Sequence, residues 1–331
     1  MLAWSAAGVE RVFALTDVEG CATCATLWRW EEAALTWRRV HDFGVATEPF
    51  TDESYELPPV QAWGLAMASD GVHGFVSWDA EGLHQTEDGG RSWQPVEIPE
   101  LDREVADGTP VVVGDHAVLL VSEPCTADDC APGDLWRSPL GSASWEPVDQ
   151  PPGYFYEIGV HGDVLAVATT HRGDERVFRS TDAGTNWAEV TTPRNAAAGS
   201  IGRCAHRGSG RTTTVVECLT DNGTVLRVTG DGGRTWRDLL RLGTWQHGPE
   251  YTDSVVAIGP RRFLVSTPKQ SVLVDASGHE LAASGLPRSV RSGVCSDRRT
   301  CVVAGDGPRL WRTEDAGRTW RVLADEVRST R

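Results

Sequence analysis

One octapeptide occurs four times in this chain: Ser/Thr-x-Asp-x-Gly-x-x-Trp, at Thr86–Trp93, Ser180–Trp187, Thr229–Trp236 and Thr313–Trp320. Each copy has a local physical logic. The aspartate carboxylate accepts backbone N–H bonds across a tight turn, the glycine supplies φ > 0 where other residues strain, and the tryptophan opens the next strand and packs on the sheet. These parts fall to Asp88, Gly90 and Trp93, to Asp182, Gly184 and Trp187, to Asp231, Gly233 and Trp236, and to Asp315, Gly317 and Trp320. The residues read as structural hairpin corners and not as catalytic groups.

The corner aspartates are separated by two, one and two periods of about 47 residues, the period of a four-stranded propeller blade. Worn copies fill the gaps. Ser138–Trp145 keeps the serine and the tryptophan, Val274–Leu281 keeps the glycine with Leu281 in place of tryptophan, and Trp30–Trp37 offers Glu32 in the aspartate slot. Ahead of the corners Leu27-Trp28-Arg29, Leu135-Trp136-Arg137 and Leu310-Trp311-Arg312 recur as the third strand of each unit. Apolar strand pairs precede these, such as Val111–Val113 with Val118–Val121 and Val255–Ile258 with Phe263–Val265. A single four-stranded unit cannot bury both faces, so stacking must supply the core. The expectation is an all-β, seven-bladed β-propeller of four-stranded antiparallel blades. It forms one domain over 1–331, with blades near 1–42, 43–98, 99–150, 151–192, 193–242, 243–284 and 285–331.

Composition narrows the function. A 331-residue chain that is 40% hydrophobic has ample material for a packed core, and its net charge of −16 opposes binding to a phosphate backbone. Nucleic acid is therefore not an expected partner. The most apolar stretch, Val111–Val121, is broken by Gly114, Asp115 and His116, far short of a membrane helix. Met1–Leu15 does not read as a signal peptide, since Glu10 and Arg11 interrupt it, so an export leader is expected to have been removed.

The eight cysteines fall into four close pairs: Cys21 with Cys24, Cys125 with Cys130, Cys204 with Cys218, and Cys295 with Cys301. Local disulfides are the economical reading. A single Cys-x-x-Cys without a nearby histidine argues against zinc, and a redox role would need a βαβ context. Four disulfides imply an oxidising, extracytoplasmic compartment. The Cys204/Cys218 and Cys295/Cys301 pairs are expected to brace first-to-second-strand hairpins at the corner end, and the other two pairs to tie second-to-third-strand loops at the opposite end. No metal or cofactor is expected. Asp128 and Asp129 lack a calcium-loop pattern, Arg172-Gly173-Asp174 is a short chance match, and the nine histidines are scattered.

The corner octapeptides resemble the Asp-box, or bacterial neuraminidase repeat, of sialidase-like β-propellers. That group includes sialidases, xyloglucan-cleaving glycosidases, sortilin-type receptors and photosystem II assembly factors. The resemblance implies that the boxes are structural and lie away from the ligand. It does not extend to the sialidase site: no Phe-Arg-Ile-Pro occurs, Phe178-Arg179-Ser180 falls in a third strand, and the xyloglucanase signatures are missing.

Candidate ligand residues therefore come from the end opposite the corners. The connections into first strands at 41–59, 97–109 and 241–252 are long, and long loops on rigid scaffolds carry function. Tyr55, Tyr154, Tyr156, Trp245 and Tyr251 fall in such connections or where they enter a first strand. They are accompanied by Glu157, Asp253 and other acids, among them Asp42, Glu53 and Glu100, while Arg288 and Arg291 enter the last blade. Such aromatics either stack on a ligand or staple their own loop. The leading expectation is a monomeric, exported module that binds a protein or glycan across this aromatic, acidic face. The alternative is a glycoside hydrolase using two carboxylates there, with Tyr154, Tyr156 and Glu157 imitating a Tyr/Glu pair.

Overall fold

A computed structural model describes residues 3–6, 12–18, 21–31, 36–43, 64–78, 82–98, 108–121, 133–161, 164–171, 174–191, 204–209, 213–220, 223–242, 254–258, 261–267, 269–295, 299–305 and 309–324. Internal contacts divide the chain into two compact units, Met1–Val148 with Val327–Arg331, and Asp149–Glu326. Among the described residues every regular element is a strand.

The first unit holds three antiparallel sheets. Sheet 1 is β1 (Ala3–Ala6), β2 (Val12–Val18), β3 (Cys21–Glu31) and β4 (Thr36–Phe43). Sheet 2 is β5 (Gly64–Met67), β6 (Gly74–Trp78), β7 (Gly82–Thr86) and β8 (Gln94–Pro95), and sheet 3 is β9 (Gly108–Val113), β10 (His116–Val121), β11 (Asp134–Pro139) and β12 (Glu146–Pro147). The second unit holds four. Sheet 4 is β13 (Tyr154–His161), β14 (Val164–His171), β15 (Asp174–Ser180) and β16 (Ala188–Val190). Sheet 5 is β17 (Cys204–Ser209), β18 (Thr214–Thr220), β19 (Gly223–Thr229) and β20 (Arg237–Arg241). Sheet 6 is β21 (Ser254–Ala257), β22 (Arg262–Ser266) and β23 (Ser271–Asp275), and sheet 7 is β24 (Val290–Cys295), β25 (Cys301–Gly305), β26 (Leu310–Thr313) and β27 (Arg321–Ala324). Strands pair in chain order within each sheet.

The core lies between consecutive sheets. Phe13, Leu15, Leu27 and Phe43 of sheet 1 meet Met67 and Val76 of sheet 2, and Phe75 and Leu83 of sheet 2 meet Leu119, Trp136 and Trp145 of sheet 3. In the second unit Val215, Leu226 and Leu239 pack on Val255, Phe263 and Val265, while Ile258, Leu264 and Leu273 pack on Val290, Val303 and Trp320. Second strands consequently bury both faces, and the run Ala117–Val121 has no exposed position. Full burial of a Phe or Leu contributes about 1.5–3 kcal/mol. First strands stand beside first strands, β5 touching β1 and β9, and β17 and β21 joining β13 to β24.

Sheet 6 departs from the four-strand expectation. Its corner is followed by a single bridge, Val274 to Glu280, made by Asp275 N–H to His279 O (2.9 Å) and Leu281 N–H to Leu273 O (2.8 Å). The chain then leaves β23, and Ser284 bonds Arg318 and Trp320 of sheet 7, at 2.9 Å each. The reason is apolar burial: Leu281, Ala283 and Leu286 join the cluster around Leu273, Val290 and Trp320 rather than continuing along the sheet edge.

The recurring Leu-Trp-Arg triplets lie on β3, β11 and β26, as third strands. Their arginines make ion pairs, Arg29 with Glu31 at 3.0 Å, Arg137 with Glu146 at 2.6 Å, and the buried Arg312 with the exposed Glu314 at 3.0 Å, and Arg38 of β4 joins Glu31 at 3.0 Å. Pairs whose two partners reach solvent are worth about 0–1 kcal/mol. The leucines, wholly buried at Leu27, Leu135 and Leu310, matter more.

Cys295 and Cys301 form a disulfide across the turn from β24 to β25, at the corner end of sheet 7. Cys218 is also disulfide-bonded and stands opposite Cys204 in register. Here the expected end is corrected. Cys204 begins β17 and Cys218 lies two residues before the end of β18, so this position is remote from the turn that joins them and from the Asp231 corner. Cys21 and Cys24 fall on β3 rather than in the turn before it, and Cys125 and Cys130 lie outside the described residues.

Candidate functional site

Among the described residues the corners organise one end of sheets 2 to 7. In all four complete copies the first hydroxyl donates to the aspartate Oδ1 and accepts the glycine N–H: Thr86 to Asp88 (2.9 Å) and from Gly90 (2.9 Å), Ser180 to Asp182 (2.7 Å) and from Gly184 (2.8 Å). Thr229 with Asp231 and Gly233, and Thr313 with Asp315 and Gly317, repeat this at 2.8–2.9 Å. The residue before the tryptophan completes the cage. Ser92, Asn186, Thr235 and Thr319 each donate a backbone N–H to Oδ1 and a side-chain group to Oδ2 at 2.6–2.9 Å. This position was missed by the motif as read, although its small polar character is visible in all four copies.

These bonds hold the carboxylates ionised. At Asp88 partial burial acts upward but is outweighed by the side-chain and backbone bonds from Ser92 and by Thr86 and Arg91, lowering the pKa to about 2. At Asp231 the Thr235 hydroxyl and backbone lead, with the same result of about 2. Asn186 leads in lowering Asp182, and at Asp315 burial is overcome by Thr319 and Thr313. A carboxylate so saturated is a poor general acid.

The corners also wedge neighbouring sheets together. Gly233, at φ +88°, leaves only 2.2 Å between a hypothetical Cβ and Thr191 O of the preceding sheet, while Trp236 Nε1–H donates to that same oxygen at 2.8 Å. The worn sheet 6 corner keeps the device with its acceptor one place earlier: Asp275, not residue 276, accepts Ser277 N–H (2.7 Å) and His279 N–H (3.0 Å). The worn sheet 3 copy has Leu140 in the aspartate slot, and its retained Ser138 hydroxyl donates instead to Ser142 O at 3.2 Å. Trp145 there buries its Nε1–H without a partner. The corners of sheets 2, 3, 6 and 7 are each tied to the first turn of their own sheet, by Gly89 N–H to Val72 O, Leu140 to Asp115, Ala276 to Arg261 and Ala316 to Arg299 at 2.8–2.9 Å. First-to-second and third-to-fourth turns therefore share one end, as expected from the topology.

At the opposite end of the second unit stand the starts of the first strands. Tyr154, Tyr156 and Glu157 lie on β13, where the register shifts between Phe155 and Glu157, placing Tyr156 in a bulge. Arg291 sits in a matching register shift on β24 between Val290 and Ser292, and Arg288 is exposed just before that strand. Bulges re-aim side chains and are over-represented next to functional sites. Ser254 Oγ donates to Val290 O at 2.6 Å, tying the start of β21 to that of β24. Tyr55, Trp245, Tyr251 and Asp253 lie outside the described residues, as do Glu53 and Glu100. Asp42 is held by Thr26 (2.9 Å) and by a two-pronged contact from Arg39, which overcome partial burial and lower its pKa.

Three Asp–His pairs were not read from the sequence, one of them His279 Nδ1 with Asp275 Oδ2 at 3.4 Å. His73 Nδ1 lies 2.6 Å from Asp70 Oδ2, and His116 Nδ1 lies 2.6 Å from Asp115 Oδ1, both in first-to-second turns at the corner end. The Asp70-x-x-His73 spacing within a turn was the available signal. Among the described residues no group of three or more His, Cys, Asp or Glu side chains is arranged to hold a metal.

No family model and no curated protein matches the chain. Solved structures do. YCF48 from Cyanidioschyzon merolae aligns with a TM-score of 0.52 at 16% identity, over 80% of this chain and 86% of that one. A puromycin-hydrolyzing peptidase of Mycobacterium tuberculosis aligns with a TM-score of 0.61 at 12% identity, over 98% of this chain and 53% of its own. A prolyl endopeptidase aligns at 0.55 and 12%, over 90% of this chain and 46% of that one. At such identities the likeness shows an all-β, propeller-like fold and nothing of the chemistry.

Proposed function

We propose that the seven sheets are the blades of one propeller of the Asp-box type, and that it acts by binding a protein or a glycan. The binding surface is the end of the second unit away from the corners. It comprises Tyr154, Tyr156 and Glu157 at the entry of β13 and Arg288 and Arg291 at the entry of β24, with Trp245, Tyr251 and Asp253 in the connection into β21. The observation that carries the reading is the pair of register shifts. Three first strands of this unit interrupt their ladders, at Tyr156, at Arg207 and at Arg291, and of these Tyr156 and Arg291 set an aromatic and a cation in the entry half of their strands. General-acid work needs a carboxyl held neutral near pH 7, whereas the corner carboxylates are driven the other way. The disulfide of sheet 7 fits an oxidising, extracytoplasmic setting.

The test is a glycan array run beside a panel of chromogenic glycosides, with Tyr156→Ala and Arg291→Ala as variants. Binding without turnover, weakened by either substitution, supports the proposal. Turnover that is abolished by Glu157→Gln assigns a glycoside hydrolase instead.

A further inference from the structure

The ladder between β24 and β25 is fixed at both ends and holds one residue too many between them. At the corner end the disulfide keeps Cys295 opposite Cys301, and at the entry end Val290 stands opposite Gly305. From 290 to 295 is five steps along β24, whereas from 305 to 301 is four along β25, so one residue of β24 has no counterpart. Gly293 is held in register by packing. A Cβ there would lie 2.7 Å from a methyl of Val303 and 2.8 Å from one of Val256. The surplus falls at Arg291, beside the entry end.

What fixes the entry end belongs to sheet 6. Ser254, Ser266 and Ser271 stand in register across β21, β22 and β23. Ser254 Oγ donates to Val290 O at 2.6 Å, and Val290 N–H donates to Ser266 Oγ at 2.7 Å. Both main-chain groups of Val290 are therefore held by side chains of the neighbouring sheet. Ser271 Oγ lies 3.3 Å from Ser266 Oγ and 3.4 Å from Arg288 O, closing the row. Ser266 is wholly buried, so water does not compete for its bond with Val290 N–H. Across the ladder Gly305 gives the strand room, since a Cβ there would lie 2.8 Å from Ser289 O.

We propose that Ser254 and Ser266 are positioning residues: by holding Val290 they oblige the ladder to bulge at Arg291. The strand is caught between a disulfide at one end and a serine clamp at the other, and either anchor alone would leave the register free to slip. Without the clamp the entry residues slide by one, Arg291 comes to face Gly305 and the ladder runs unbroken. The wholly buried side chain of Val290 opposes that slip and is the rival cause of the bulge. The functional weight of the clamp rests on the binding surface proposed above, in which Arg291 takes part, whereas the place of the bulge does not.

The test compares crystal structures, amide hydrogen exchange and binding to the same glycan array for the full chain and three variants. These are Ser254→Ala, Ser254→Thr, and Ser254→Ala combined with Ser266→Ala. Ser254 is only half-buried, so its replacement disturbs the core least. In Ser254→Ala, exchange at Val290 and Ser292 is expected to rise about tenfold, the size of one buried hydrogen bond, and Ser254→Thr should restore it. In the double variant Arg291 should face Gly305, and array binding should fall to the level of Arg291→Ala. Unchanged exchange in Ser254→Ala, or a bulge still at Arg291 in the double variant, assigns the bulge to burial of Val290 and overturns the proposal. If the double variant does not fold, the Ser254 pair decides. A released bulge with array binding unchanged upholds the clamp and removes Arg291 from the binding surface, so the surface is refuted there without the clamp.

Discussion

Two adjacent glycines in one corner offer a sharp comparison, because they share a left-handed backbone and differ only in what surrounds them. Gly232 has φ +73° with nothing within 4 Å of a hypothetical Cβ. Gly233 has φ +88°, with Thr191 O, N and C at 2.2, 2.6 and 2.9 Å. Alanine in a left-handed conformation costs about 1–2 kcal/mol, partly offset by about 0.4–1 kcal/mol through a stiffer unfolded chain. Gly232→Ala should therefore cost about 1 kcal/mol or less. Ala183 and Ala316 already occupy the equivalent position in two other corners, at φ 51° and 61°. Gly233→Ala carries the same backbone term and must also push Thr191 away. That breaks Trp236 Nε1–H to Thr191 O (2.8 Å) and Thr191 N–H to Gly232 O (3.3 Å), at about 1 kcal/mol each. A difference of about 2 kcal/mol between the variants is expected in urea unfolding, with faster exchange of the Thr191 amide and the Trp236 indole N–H in Gly233→Ala alone. Equal destabilisation, or unchanged exchange at both sites, would refute the view that the corner glycine is required by the neighbouring sheet rather than by its own φ.

Thr235→Ala removes one hydroxyl bond to Asp231 and should cost about 0.5–1.5 kcal/mol in the same assay, whereas Thr235→Asn, which imitates Asn186, should restore most of it. Asp88 and Asp231 ionise near 2 in the folded chain, below the ordinary carboxylate value of 3.8, so the unfolded chain binds more protons between those values. Stability from the corners should accordingly be complete above the ordinary value and drain away as pH falls towards 2, and Asp88→Asn should flatten that part of the acid-unfolding profile. Opening the six-residue disulfide loop by Cys295→Ser with Cys301→Ser should cost about 2 kcal/mol on chain-entropy grounds, measured by the shift in urea midpoint. Phe263→Ala, in the wholly buried core between sheets 5 and 6, should cost about 3–5 kcal/mol, and a loss below 1 kcal/mol would contradict that packing.

Corners, triplets and strand pairs were legible because each is a short-range device. A carboxylate two residues after a hydroxyl, and a glycine two further on, close a turn whatever lies beyond it, and Leu27, Leu135 and Leu310 are wholly buried leucines recurring in third strands. What separated the two cysteine pairs was register. Cys295 and Cys301 flank their turn, whereas Cys204 and Cys218 face each other at the far end of a hairpin, and that follows from strand lengths rather than from cysteine spacing. The aromatic entry residues were legible by position, but the bulges at Tyr156 and Arg291 were not, since one extra residue in a ladder leaves no compositional trace.

By itself, then, the amino-acid sequence determined where the chain turns, which residues seal each turn, and that strands of this period must stack to hide both faces. Tertiary structure alone decided what each corner glycine is pressed against and why Leu281 forsakes its own sheet for the apolar space beside Trp320. The physical reason is range. Hydrogen bonds within a turn are settled by residues a few places apart, whereas the burial that empties the edge of β23 depends on side chains brought together from two different sheets.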